Sequence, residues 1–162
     1  MAAWMTLMQT HATVVAALEE ELMSERNLPL SWHEVLVRLA ASPDGRLRMQ
    51  ELARSVLLSK SGVTRLVDRM VDAELVGRDA CAADRRVVYA SITKKGRAVL
   101  ADAMPIFVEG FRRHFGLHLS NEEARALRAT LHGVLKGNGV TEAAGCPSSY
   151  LVKAPASARA SR

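Results

Sequence analysis

Apolar residues recur along this chain at helical spacing, then at strand spacing, then at helical spacing again. From Ala2 to about Arg26, the residues Trp4, Leu7, Met8, His11, Val14, Val15, Leu18 and Leu22 keep to one face and predict a single long helix. Asn27-Leu28-Pro29 breaks it, because proline cannot extend a helix through its own position. A second helix is expected to open on an S-x-x-E capping box, Ser31 to Glu34, with Leu30 and Val35 as a hydrophobic staple and Val35, Leu36 and Leu39 as its core face. Ser42-Pro43-Asp44-Gly45 reads as a turn, and Arg46-Leu47-Arg48 as a brief strand. Met49, Leu52, Ala53 and Val56 mark a compact helix. Val63, Leu66, Val67 and Met70 then fall at i, i+3, i+4 and i+7, the inner stripe of another.

After Glu74 the period shortens to two. Leu75 to Cys81 predicts one strand; Val88, Ala90 and Ile92 alternate with Val87, Tyr89 and Ser91 in a second. Between them lies the polar turn Ala82-Ala83-Asp84-Arg85-Arg86. Helical spacing returns with Thr93 as a cap and Val99, Leu100, Ala103, Ile106, Phe107, Phe111 and Phe115 as an apolar side. Pro105 and Gly110 inside this element predict a bend near Ala101–Met104. A second capping box, Ser120 to Glu123, opens a last helix with Leu127, Leu131, Val134 and Leu135 on its buried side. Beyond Gly137-Asn138-Gly139 the composition becomes that of a flexible tail.

The chemistry concentrates in two places. The stretch from Ser59 to Met70 turns Ser61, Thr64, Arg65, Asp68 and Arg69 away from its apolar stripe. Small hydroxyl residues and Gly62 at its start let the backbone approach a partner, and a helix N-terminus favours anions. Two short helices joined by a tight turn, the second polar at its N-terminus, make a helix-turn-helix. Charged outer faces are routine on ordinary surface helices, so the hairpin that follows matters. Placed directly after such a helix it is a wing, and Arg85 and Arg86 at its tip suit the negative potential of a minor groove, with Asp84 able to hold one of them by a charge-assisted hydrogen bond.

Composition narrows the classes. Lys and Arg number 22 against 17 acids in 162 residues, a formal net charge of +5 that permits nucleic-acid binding. Aromatic residues make up 4% of the chain, too few for stacking on single-stranded bases to carry binding. Two cysteines, Cys81 and Cys146, give no disulfide scaffold, and no apolar run spans a membrane, which together point to the cytoplasm. Gly-rich phosphate loops, H-E-x-x-H, G-x-S-x-G and C-x-x-C are all missing, so the sequence does not read as an enzyme.

The order helix, helix, helix-turn-helix, wing, two long helices resembles the MarR family of winged-helix transcription regulators. The residues that carry the resemblance are Ser59 to Arg69, then Asp84-Arg85-Arg86, then Ile92-Thr93-Lys94-Lys95-Gly96. They match the family's D-x-R wing pattern and its L-T-x-x-G, with Ile for Leu. The resemblance implies a mainly α fold with a small β-wing: an N-terminal dimerisation helix over residues 1–30, a winged helix-turn-helix DNA-binding lobe over 31–92, C-terminal dimerisation helices over 93–137 and a tail over 138–162. It implies a homodimer on a pseudo-palindromic duplex, with half-sites about one helical turn apart. In that arrangement Ser61, Thr64 and Arg65 face the major groove beside Ser59, and Arg86 enters the minor groove next to Asp84. Lys60, Arg69 and Arg85 would contact phosphates.

Many regulators of this family are released from DNA by a small aromatic or phenolic acid bound between lobe and dimer helices. Trp4, His11, Trp32 and His33 are the candidates to border such a crevice, and Trp4 resembles the early tryptophan of the urate- and phenol-responsive branch. No cofactor is implied. The reactive first-helix cysteine of the family's peroxide sensors is missing, and Cys81 on the wing strand reads as a small apolar residue. His114 and His118, at i and i+4, form a weaker alternative in which zinc is the effector, with Glu109, His132 or a symmetry partner completing the site. A winged-helix module that binds protein instead of DNA is the alternative from another class.

Overall fold

The computed structural model describes residues 1–56, 60–80 and 87–140. Helix α1 (Ala2–Arg26) ends at Asn27, which adopts the left-handed conformation and donates its amide to Met23. Helix α2 (Leu30–Ala41) follows at once. The capping box expected at Ser31 and Glu34 is not formed: Pro29 is the N-cap, and Ser31 already lies inside the helix. The amide of Leu30, which has no partner within its own helix, is instead satisfied by Glu19 Oε2 of α1 at 2.6 Å, so a neighbouring helix does what a local side chain was expected to do. Leu30 and Val35 are both buried, but Leu30 is the first helical residue and not the N′ partner of a staple.

A short turn at Pro43–Gly45 leads into strand β1 (Arg46–Arg48) and helix α3 (Met49–Ser55). Helix α4 (Lys60–Asp72), strands β2 (Val76–Ala80) and β3 (Val88–Ile92), helix α5 (Lys94–His114) and helix α6 (Asn121–Gly137) complete the chain. The strands form an antiparallel sheet in the order β1-β3-β2, with Leu47 opposite Ala90 and Arg78 opposite Ala90 from the other side.

Two apolar clusters organise these elements. The larger joins Val35, Leu36 and Leu39 of α2, Leu52 of α3, Val63, Leu66, Val67 and Met70 of α4 with Val76, Ala90 and Ile92 of the sheet. The smaller packs Leu18 and Leu22 of α1 against Leu28, Leu30 and Ala103, with Phe107 and Phe111 of α5 alongside. Trp32 and Val99 touch both clusters and so bond the winged lobe to the helical scaffold.

Helix α5 runs through Pro105 without interruption. Gly110 serves packing: a Cβ there would collide with the Glu21 carboxylate and come within 3.0 Å of Leu18. That close approach lets Glu21 Oε1 meet Arg113 Nη1 and His114 Nε2, both at 2.8 Å. The capping box at Ser120 and Glu123 is present on α6. The burial expected for Leu127, Leu131, Val134 and Leu135 is not found within one chain, where α6 has no buried residue and Val134 and Leu135 are 58% and 49% exposed. Among the described residues, Leu127 and Leu131 are only half-buried and no element covers Val134 and Leu135.

Candidate nucleic-acid interface

Helix α4 is two-sided. Val63, Leu66, Val67 and Met70 are sunk in the core, which leaves Ser61, Thr64, Arg65 and Arg69 exposed on the opposite side. Its first turn contains no acid, so nothing there opposes an approaching phosphate. Asp68 is the one carboxylate before the last residue of the helix, and it is paired: Arg78 Nη1 of β2 lies 2.6 Å from its Oδ1.

The hairpin root is fastened by Thr93. Its hydroxyl donates to the carbonyl of Glu74 at 2.8 Å, lies 3.1 Å from that of Leu75, and accepts from the Gly96 amide at 2.9 Å, capping α5. A Cβ at Gly96 would strike the Leu75 carbonyl, which explains why glycine stands three residues after the threonine. One residue pattern therefore fixes the end of the recognition unit, the base of the wing and the start of α5.

Strand β1 adds cations that the sequence reading did not assign. Arg46 and Arg48 place their guanidinium carbons 5.2 and 6.0 Å from the Tyr89 ring centroid, and Arg48 Nε donates to the tyrosine hydroxyl at 3.3 Å. The signal was present as the alternation in Arg46-Leu47-Arg48, which sends both arginines to one sheet face. The partner across the ladder was not readable. Arg48, Gln50, Thr64, Arg78 and Val88 line an open groove of about 350 Å³ between α4 and the wing root.

Of the residues expected to meet DNA, Ser61, Thr64, Arg65 and Arg69 share the exposed side of α4, and Lys60 begins that helix. Ser59 and the wing-tip residues Asp84, Arg85 and Arg86 lie outside the described residues, as do Cys81 and Cys146.

The four effector candidates are separated by environment. Trp32 bridges the two clusters. His33 is 1% exposed, stacks on Phe107 with ring centroids 4.4 Å apart, and neither ring nitrogen meets a hydrogen-bond partner among the described residues. Burial lowers its pKa to about 4, so it is neutral at physiological pH. Phe107, Phe111 and Phe115 follow in a ladder with centroids 6.5 and 5.4 Å apart. That ladder leads to a cavity of about 210 Å³ where His11 joins Leu7, Val14, Val15, Phe111 and Phe115. Trp4 is two turns further out on α1 and 57% exposed. His114 pairs with Glu21, His118 sits in the short turn Gly116–His118, and no group of three metal-ligating side chains occurs among the described residues. No helix among them is long and apolar enough to cross a membrane.

A helix-turn-helix with a following β-hairpin, mounted on a scaffold of long helices, defines a winged-helix regulator. Comparison with known proteins agrees. The MarR family model matches residues 26–87. Over 57 residues, 35% of this chain, the sequence is 39% identical to the HTH-type transcriptional regulator MhqR of Bacillus subtilis (strain 168), and the match spans 39% of that regulator's length. The structure superimposes on AbsC, a MarR family transcriptional regulator from Streptomyces coelicolor, with a TM-score of 0.80 and 31% identity, covering 85% of this chain and 93% of AbsC. Sco3205, another MarR family regulator from that organism, solved in complex with DNA, gives a TM-score of 0.79 and 28% identity over 84% of this chain and 85% of its own. The chain belongs to the MarR family and is a MarR-type DNA-binding transcriptional regulator, not an enzyme.

Proposed function

We propose that this regulator acts in the cytoplasm as a homodimeric repressor on a pseudo-palindromic operator, and that a small aromatic or phenolic acid releases it. The observation that carries the reading is α4, whose apolar stripe is fully sunk while Thr64, Arg65 and Arg69 stand exposed on the other side. Within that reading Ser61, Thr64 and Arg65 meet bases with Ser59 beside them, Lys60, Arg69 and Arg85 meet phosphates, and Arg86, steadied by Asp84, enters the minor groove. Dimerisation is supported by the uncovered apolar surface at the outer helices: Trp4, Met5 and Met8 on α1, Leu117, and Val134 and Leu135 on α6. Phe111, Phe115, Leu127, Leu131 and Leu135 border an open cavity of about 560 Å³ there, which a second copy would fill.

The effector reading draws on the junction at Trp32, His33 and Phe107. A neutral, desolvated imidazole supplies one N–H for a carboxylate or phenol oxygen, and the Phe ladder supplies an apolar wall for a ring. Selection of bound fragments from a random duplex pool tests the DNA reading, and the recovered half-sites should repeat at about one helical turn. Affinity should fall steeply with added salt through counterion release. Release by a panel of aromatic acids, compared between the wild type and a Trp32→Ala, His33→Ala double variant, tests the effector; an unchanged response to every acid rejects this crevice.

A further inference from the structure

The wing hairpin grows out of the three-stranded sheet. Its root is buried through Leu75 and Val76, but β2 is progressively exposed from Gly77 to Ala80. Arg78 lies in the row Leu47–Ala90–Arg78 of the three-stranded sheet, and beyond it Ala80 pairs with Val88 as the two-stranded start of the wing, so the angle of β2 against α4 sets the direction in which the wing leaves. Side chains alternate across β2, and Arg78 opposes the fully buried Ala90, which puts it on the face turned toward α4. From there its guanidinium reaches Asp68. Asp68 is one turn beyond Thr64 on α4, so this ion pair ties the element bearing the base-facing side chains to the strand that leads to the wing tip. Among the described residues it is the one ion pair between α4 and the hairpin. An acid on a helix meant for DNA otherwise only repels phosphates, so its presence asks for a reason.

We propose that Asp68 and Arg78 are a positioning pair that sets the pitch of the wing against α4, so that both elements reach adjacent grooves of one duplex together. The inference rests on the DNA-binding reading above. Its discriminating feature is sign. By charge alone, Asp68→Asn removes a repulsion and strengthens DNA binding; by positioning, it weakens it.

The experiment uses the full chain and a duplex selected by the wild-type protein. Asp68→Asn should bind that duplex roughly ten- to a hundredfold more weakly. Hydroxyl-radical cleavage should show the minor-groove protection lost, while methylation protection of major-groove purines remains. Arg78→Lys, which keeps the charge but not the fork, should give the same footprint, and the exchanged pair D68R/R78D should recover part of the protection. Equal or tighter binding by Asp68→Asn, with minor-groove protection intact, overturns the proposal. If Asp68→Asn lowers the melting temperature, the Arg78→Lys footprint decides, and retained protection there overturns it equally. A wild type that binds no duplex at low salt rejects the DNA-binding reading itself, a separate outcome.

Discussion

His33 makes the folded protein sensitive to acid in a way that one substitution should remove. The imidazole is almost wholly buried against Phe107, and desolvation lowers its pKa from an ordinary 6.5 to about 4. Between those values the unfolded chain binds a proton that the folded chain refuses. The stability contributed by the neutral form is therefore complete above about pH 6.5 and is lost as pH falls toward 4. For these two pKa values the loss amounts to about 2 kcal/mol by pH 5, with a limit near 3 kcal/mol below pH 4. In a chain of this size, 2 kcal/mol corresponds to roughly 4–8 °C in melting temperature. His33→Leu replaces the ring by an apolar side chain of similar bulk and deletes the buried nitrogens that find no partner among the described residues. Carboxylates elsewhere also titrate in this range, so the quantity to measure is a difference of differences. Thermal melts of both proteins at about pH 7.5 and about pH 5, at one protein concentration, should show the wild type losing about 2 kcal/mol more than the variant. Parallel pH dependences would refute the reasoning and mean that the imidazole finds a charge partner or solvent in the folded protein.

Three further outcomes follow from the same geometry. Gly96→Ala forces a methyl group onto the Leu75 carbonyl and within 3.1 Å of Ile92, so it should lower the unfolding free energy by about 1–3 kcal/mol, read as a lower urea midpoint with an unchanged slope. Arg65→Ala should cost about 1–3 kcal/mol on the selected operator and relax its sequence preference, whereas Arg69→Ala should weaken all duplexes alike and reduce the salt slope by about one; identical profiles for the two variants would reverse these roles. Leu131→Glu combined with Leu135→Glu sets two carboxylates on the uncovered face of α6, and should shift the protein from dimer to monomer in sedimentation by about 2 kcal/mol or more.

The parts of the fold legible in the sequence were those written in a local period. The stripe Val63, Leu66, Val67, Met70 and the alternation Val88, Ala90, Ile92 each repeat often enough to name their element; the stripe, Ala90 and Ile92 are buried as the pattern implies, and Val88 is half-buried. Local capping logic worked at Ser120, where the partner Glu123 belongs to the same turn. It failed at Ser31 because a partner from another helix won: Glu19, eleven residues earlier, reaches the free amide of Leu30. The same limit hid the Arg46–Tyr89–Arg48 stack and the Asp68–Arg78 pair, whose members come together only once the sheet is assembled. The packing role of Gly110 was not legible because the sequence carries no trace of Glu21 lying against it. The apolar side of α6 was read as buried, although the described residues leave it at most half-covered.

Helix α5 has 21 residues and is therefore about 31 Å long, with its first turn clamped to the wing base by Thr93 and its last turn held on α1 through Glu21. Such a rod works as a lever. A tilt of about 5° at one end carries the other through about 3 Å, a displacement comparable with the rise of one base pair. In the proposed dimer, a ligand that swelled the crevice by the thickness of an aromatic ring would be enough to throw the two lobes out of step with their duplex, with no residue of the lobes unfolding.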